Sequence, residues 1–96
     1  MITFEIKNGW IIKYNQKINL TKLETRLLSV LVNNKVNSVK EIWEYVYEYN
    51  FYSKRRFKNA KSIRALISRF KNKTGLQIKT LRGRGYKLIT EIQINY

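Results

Sequence analysis

Apolar and polar positions alternate with a period of two from the start of the chain. Ile2, Phe4 and Ile6 are separated by Thr3 and Glu5, the pattern of a strand with one buried face. Asn8-Gly9 follows, a pair that tolerates positive φ and favours a hairpin turn. Two further short strands, Trp10–Tyr14 and Lys17–Leu20, complete the expectation of a small antiparallel sheet over residues 1–20.

At residue 21 the period changes to that of a helix. Thr21 and Glu24 form a capping box, in which each side chain can satisfy the other's backbone N–H. Leu23, Leu27, Leu28 and Leu31 then fall on one side. Ser38 and Glu41 repeat the box, and Ile42, Trp43 and Val46 give a second helix its buried side. Periodicity then fails through "YEYNFYSKRRFKN", which reads as a long connection crowded with Lys54, Arg55, Arg56 and Lys58. A third helix is expected over Ala60–Lys73, with Ile63, Leu66, Ile67 and Phe70 at i, i+3, i+4 and i+7. Gly75 suits its stop. Strands Gln77–Leu81 and Tyr86–Thr90 then flank the turn "RGRG", so residues 76–90 form a terminal hairpin.

The 96 residues make one domain, with 44% hydrophobic side chains to fill one core. Charge changes the picture more. Residues 1–50 carry seven basic and five acidic side chains, a net of +2; residues 51–96 carry thirteen basic and one acidic, Glu91, a net of +12. A field so one-sided repels itself unless a polyanion faces it. The chain has no cysteine and no histidine, which removes disulfides, thiol chemistry and nearly every zinc site. No cofactor is expected. The apolar runs are too short for a signal peptide or a membrane span, and the cytoplasm is the expected location.

The third helix shows what could meet the polyanion. Away from its apolar stripe stand Lys61, Ser62, Arg64, Ala65, Ser68 and Asn72, with Arg69 and Lys71 on the flanks. Small residues in the middle let the backbone approach a groove, and the flanking cations reach phosphates and base edges. An α-helix fits the major groove of B-form DNA but not the narrow one of A-form RNA. Arg64 and Arg69 could each donate two hydrogen bonds to guanine, at roughly 1–3 kcal/mol of discrimination per good pair. On the hairpin, Gly83 and Gly85 allow a tight, slim tip, and Arg82 and Arg84 ride on it. Arginine is weakly hydrated and is drawn into narrow minor grooves. Helix and hairpin together read as one face for double-stranded DNA.

The order of strands, three helices and hairpin, with "LTKLETRLLSVL", "SVKEIWEYVY" and above all "TLRGRGYKL", resembles the effector domain of OmpR/PhoB-type response regulators. The resemblance implies an α+β winged helix-turn-helix: an N-terminal antiparallel sheet (1–20), three helices (21–73) and a C-terminal wing (76–90). It implies sequence-specific DNA binding in transcription regulation. The third helix would lie in the major groove, Arg82 in the minor groove, Thr80 near the backbone and Tyr47 close to phosphate. Tandem binding to direct repeats, contact with RNA polymerase and a switch by phosphorylation of a receiver domain are also implied. Such a receiver is not in this chain, which reads as the DNA-binding half of a longer regulator or as a small stand-alone protein. The basic connection between the second and third helices departs from the family, which tends to be acidic there, and suits phosphates better than a protein surface.

An alternative in another class is a winged-helix adaptor that binds structured RNA or another protein. An enzyme is not expected, because Glu24 and Glu41 have capping roles and no acid–base or nucleophile–base pair remains. A peripheral membrane role is disfavoured, since the apolar stripe of the basic helix is needed in the core.

Overall fold

A computed structural model describes residues 1–33, 35–47 and 60–96, with the backbone alone for Ala60 and Lys61. The connection expected at 47–59 therefore lies mostly outside the described residues. Along the chain run β1 (Ile2–Glu5), β2 (Trp10–Lys13), β3 (Gln16–Asn19), α1 (Lys22–Leu31), α2 (Val39–Val46), α3 (Ala60–Thr74), β4 (Ile78–Leu81), β5 (Gly85–Leu88) and β6 (Ile92–Asn95). This is the expected α+β arrangement of three helices between an N-terminal sheet and a C-terminal hairpin.

The N-terminal sheet needs one correction. It is not a three-stranded antiparallel sheet but a four-stranded mixed one, ordered β3-β2-β1-β6. The C-terminal β6, which the sequence reading left without an element, pairs parallel to β1 with Ile2 opposite Ile92 and Phe4 opposite Ile94. Its Ile–Gln–Ile–Asn alternation places both isoleucines against the core. The two hairpins β1–β2 and β2–β3 are closed by turns with positive φ. Gly9 supplies the first at φ 72°, and the second is the two-residue loop Tyr14-Asn15 at φ 49° and 64°, as type I′ geometry requires.

Both capping boxes form. The Thr21 N–H donates to Glu24 Oε1 at 2.9 Å while the Glu24 N–H donates to Thr21 Oγ1 at 3.1 Å. The Ser38 N–H reaches Glu41 Oε1 at 2.8 Å, and the Glu41 N–H reaches Ser38 Oγ at 3.1 Å. Leu27, Leu28 and Leu31 of α1, Ile42 and Val46 of α2 and Ile63, Leu66, Ile67 and Phe70 of α3 are buried together with Phe4 and Ile11 of the sheet. Leu23 and Trp43 pack against this core from its edge.

Two polar ties hold the end of α3 in place, and a glycine closes it. Lys13 Nζ donates to the Thr74 carbonyl at 2.9 Å, a cation at a helix C-terminus where the dipole favours it. Lys73 Nζ meets Glu24 Oε1 at 2.8 Å, joining the end of α3 to the start of α1. Gly75, at φ 75°, ends the helix with its N–H on the Lys71 carbonyl at 2.8 Å. Arg26 of α1 in turn donates to the Val46 carbonyl at the end of α2, at 3.1 Å.

Candidate nucleic-acid interface

Burying Ile63, Leu66, Ile67 and Phe70 turns the other side of α3 outward. Arg64, Ala65, Ser68, Arg69 and Asn72 are all exposed there, and Ser62 is half-buried. At about 100° per residue, Ala65, Ser68 and Asn72 run along the middle. Arg64 and Lys71 take one flank and Arg69 the other. No acidic residue occurs between residues 51 and 90, so neither helix nor wing carries an anion of its own to neutralise them.

The wing is built against the start of α2. Asn37, just before the α2 cap, donates its N–H to the Tyr86 carbonyl at 2.8 Å and accepts the Tyr86 N–H at 2.9 Å. The Asn37 side chain is buried but satisfied: its Nδ2 donates to the Lys35 carbonyl at 3.0 Å, and its Oδ1 accepts from Asn33 Nδ2 at 3.0 Å. Gly85 is buried beside it at φ 134°, and a Cβ there would collide with the Asn37 carbonyl. The two wing glycines thus do different jobs. Gly83, at φ 75° with open space around it, makes the turn, closed by the Arg84 N–H on the Leu81 carbonyl at 2.8 Å. Gly85 serves close packing inside the protein, not a slim tip, which corrects the role expected for it.

Two grooves join these parts. One runs between α3 and the wing and is lined by Arg64, Ser68, Lys71, Asn72, Thr80 and Tyr86. The other lies between the start of α2 and the wing tip, with Ser38, Lys40, Arg64, Thr80, Arg82 and Arg84 on its walls. Arg64 borders both, so helix and wing form a continuous surface around it. Arg82, Gly83 and Arg84 stand exposed at its far end. Arg69 is exposed on the other flank of α3 and borders neither groove.

Tyr47 is the C-cap of α2, half-buried against Trp43 with ring centroids 6.1 Å apart. It sits at the end of α2 away from the groove, about 13–14 Å along the helix from Ser38. Lys54, Arg55, Arg56 and Lys58, and the side chain of Lys61, lie outside the described residues. Sequence reasoning missed Lys40 and placed Lys71 only among the flanking cations of α3. Lys40 becomes a wall of the groove only because the wing folds back onto Asn37. No local pattern marks it.

Among the described residues no three His, Cys, Asp or Glu side chains gather as metal ligands do, and no helix is long and apolar enough to cross a membrane. Glu24, whose carboxyl pKa is shifted, lines neither groove. Burial works to raise its pKa, but hydrogen bonds from Lys73 and Thr21 and the Lys73 charge outweigh it and hold the group below the usual carboxylate range.

Residues 15–88 match the family described as "Transcriptional regulatory protein, C terminal". No curated protein matches the chain in sequence. Among solved structures, the DNA-binding domain of Bacillus subtilis CssR superposes with a TM-score of 0.76 at 22% identity, covering 93% of this chain and 100% of that one. A redox sensor of the streptococci, from a family evolved from two-component response regulators, gives 0.77 at 22% identity over 94% of this chain. This chain spans 40% of that regulator's length. The DNA-binding domain of the response regulator AdeR, solved in complex with an intercistronic region, gives 0.73 at 18% identity over 94% of this chain and 95% of that one. The helices, the wing and the family match agree: the chain belongs to the C-terminal domains of transcriptional regulatory proteins, the winged-helix effector domains of OmpR/PhoB type.

Proposed function

We propose that this domain binds double-stranded DNA in a sequence-specific manner to regulate transcription, with the exposed face of α3 in the major groove and the wing tip in the adjacent minor groove. The observation that carries this reading is the continuity of a basic, acid-free surface from α3 through Arg64 to Arg82 and Arg84. Phosphate neutralisation supplies most of the affinity, so binding weakens steeply with salt. Arg64 and Arg69 read base edges from the two flanks of α3, while Ala65, Ser68 and Asn72 set how closely the helix approaches. Lys40 and Thr80 hold phosphates and Tyr47 lies near the backbone. We extend the reading to tandem occupancy of direct repeats, with RNA polymerase as the protein partner of a promoter-bound copy.

Selection from a random duplex library tests it, because retained sequences should share a motif repeated at about one helical turn. Arg69→Ala should then relax preference within the motif at a cost of roughly 1–3 kcal/mol, whereas Lys40→Ala should weaken all duplexes alike. Equal losses on selected and random DNA for both variants contradict base reading by α3. Preference for structured RNA at matched salt favours an adaptor instead.

A further inference from the structure

The wing has a second basic feature, on the face opposite Thr80 and Tyr86. In the β4–β5 register Ile78 pairs with Leu88, Lys79 with Lys87, Thr80 with Tyr86 and Leu81 with Gly85. Alternation puts Thr80 and Tyr86 on the side that lines the α3 groove. Lys79 and Lys87 therefore share the other face, directly opposite each other. Like charges so placed destabilise a hairpin. The segment from 77 to 90 contains no acidic residue that could offset them, and among the described residues the one lysine in an ion pair is Lys73. Lys79 is exposed and Lys87 half-buried.

We infer that Lys79 and Lys87 form a phosphate clamp for the sugar–phosphate strand on the far side of the minor groove that the wing tip enters. This rests on the DNA-binding reading above and adds a contact to it. The geometry follows from dimensions. A two-stranded ribbon with side chains on both faces is about 10 Å thick, more than the roughly 6 Å width of the minor groove. Only the tip enters, and the two ribbon faces rest against the two walls. Lys79 and Lys87 stand three residues behind Arg82 and Arg84, about 10 Å at strand rise. The groove is about 7.5 Å deep, which leaves the two ammonium groups just above its rim, where the phosphates are. An anion set between them removes the repulsion that the free hairpin carries. The α3 side of the wing meets one strand through Thr80, and the lysine pair meets the other.

The test is the salt dependence of binding to a short duplex of mixed sequence, for the wild-type domain, Lys79→Gln, Lys87→Gln, the double variant and Lys7→Gln. Lys7, exposed at the β1–β2 turn, controls for net charge. Each wing substitution should flatten the slope of log affinity against log salt by about 0.9, so that the variant loses about 3- to 4-fold less affinity between 50 and 200 mM. The effect should be the same on every sequence, and Lys7→Gln should leave the slope alone. Lys79→Glu, which sets an acid opposite Lys87, should raise the melting temperature of the free domain by about 2 °C while weakening DNA binding. Unchanged slopes in a domain that still binds duplex overturn the clamp and leave the DNA reading standing. So does an equal effect of Lys7→Gln, or a loss of cooperativity between copies without a change in slope. A wild-type domain that binds no duplex overturns both.

Discussion

The two sheets of this molecule treat charge in opposite ways. On the outer face of the four-stranded sheet, polar side chains find partners within the fold. Asn95 donates to Glu5 at 2.8 Å across the β6–β1 pair, and Lys17 lies over the Trp10 ring, 4.0 Å from its centroid. The wing sets lysine against lysine and puts two arginines on its tip, with no acid in the segment. One sheet is complete as folded. The other carries its cations with no acid in the segment to offset them, which is the feature the proposed DNA contact uses. The difference separates a sheet whose charges serve the fold from a wing whose charges the proposed function would use.

Substitutions can break or sharpen that separation. The largest effect should come from Gly85→Ala, because it strikes where the wing is bolted to the helices. Overpacking against Asn37 together with positive φ should cost about 2–4 kcal/mol in urea unfolding, and the displaced tip should lose its hold on DNA. Full DNA affinity in that variant contradicts the view that Asn37 sets the wing's position. Removing residues 91–96 strips β6 from the other sheet and uncovers Ile2 and Phe4. A loss of about 2–3 kcal/mol is expected from the half-buried isoleucines and the lost ladder, with the salt dependence of DNA binding unchanged. A truncated domain whose binding slope also fell shows that the two sheets are not separate in role.

The smallest effect should appear at Glu24. Its carboxyl is held below the usual range in the folded domain, so the unfolded chain takes up the proton first as pH falls. The stability it contributes is present above its ordinary pKa of about 4.5 and is lost as pH drops through the lower folded value. Glu24→Gln should cost about 0.5–1 kcal/mol near neutrality, given the partly exposed Lys73 partner, and should flatten the acid limb of a stability-versus-pH curve. An unaltered acid limb rules out the Lys73 contact as its source.

Much of this was legible beforehand, where the governing interactions are local. Thr21 with Glu24, Ser38 with Glu41, and the 63–66–67–70 stripe are set by residues within a turn or two, and each appears where the pattern placed it. Strand ends moved by a residue or two: the third strand spans Gln16–Asn19 and the wing strands Ile78–Leu81 and Gly85–Leu88. The missed strand β6 has a clear period of two, but its meaning depends on β1, ninety residues away. A short alternation of four residues does not say which edge it will join. The site followed the same rule. The exposed arginines of α3 could be read from periodicity, whereas the groove roles of Lys40 and Lys71 depend on where the wing folds.

The sequence alone determined the helices with their caps, the acid-free basic second half and the glycine–arginine turn. Each depends on side chains close together in the chain, where propensity and periodicity act directly. Tertiary structure decided the mixed sheet, the anchoring of the wing on Asn37, the meeting of two grooves at Arg64 and the register that opposes Lys79 to Lys87. Those depend on which distant surfaces bury each other, and that choice is made by packing the whole core at once.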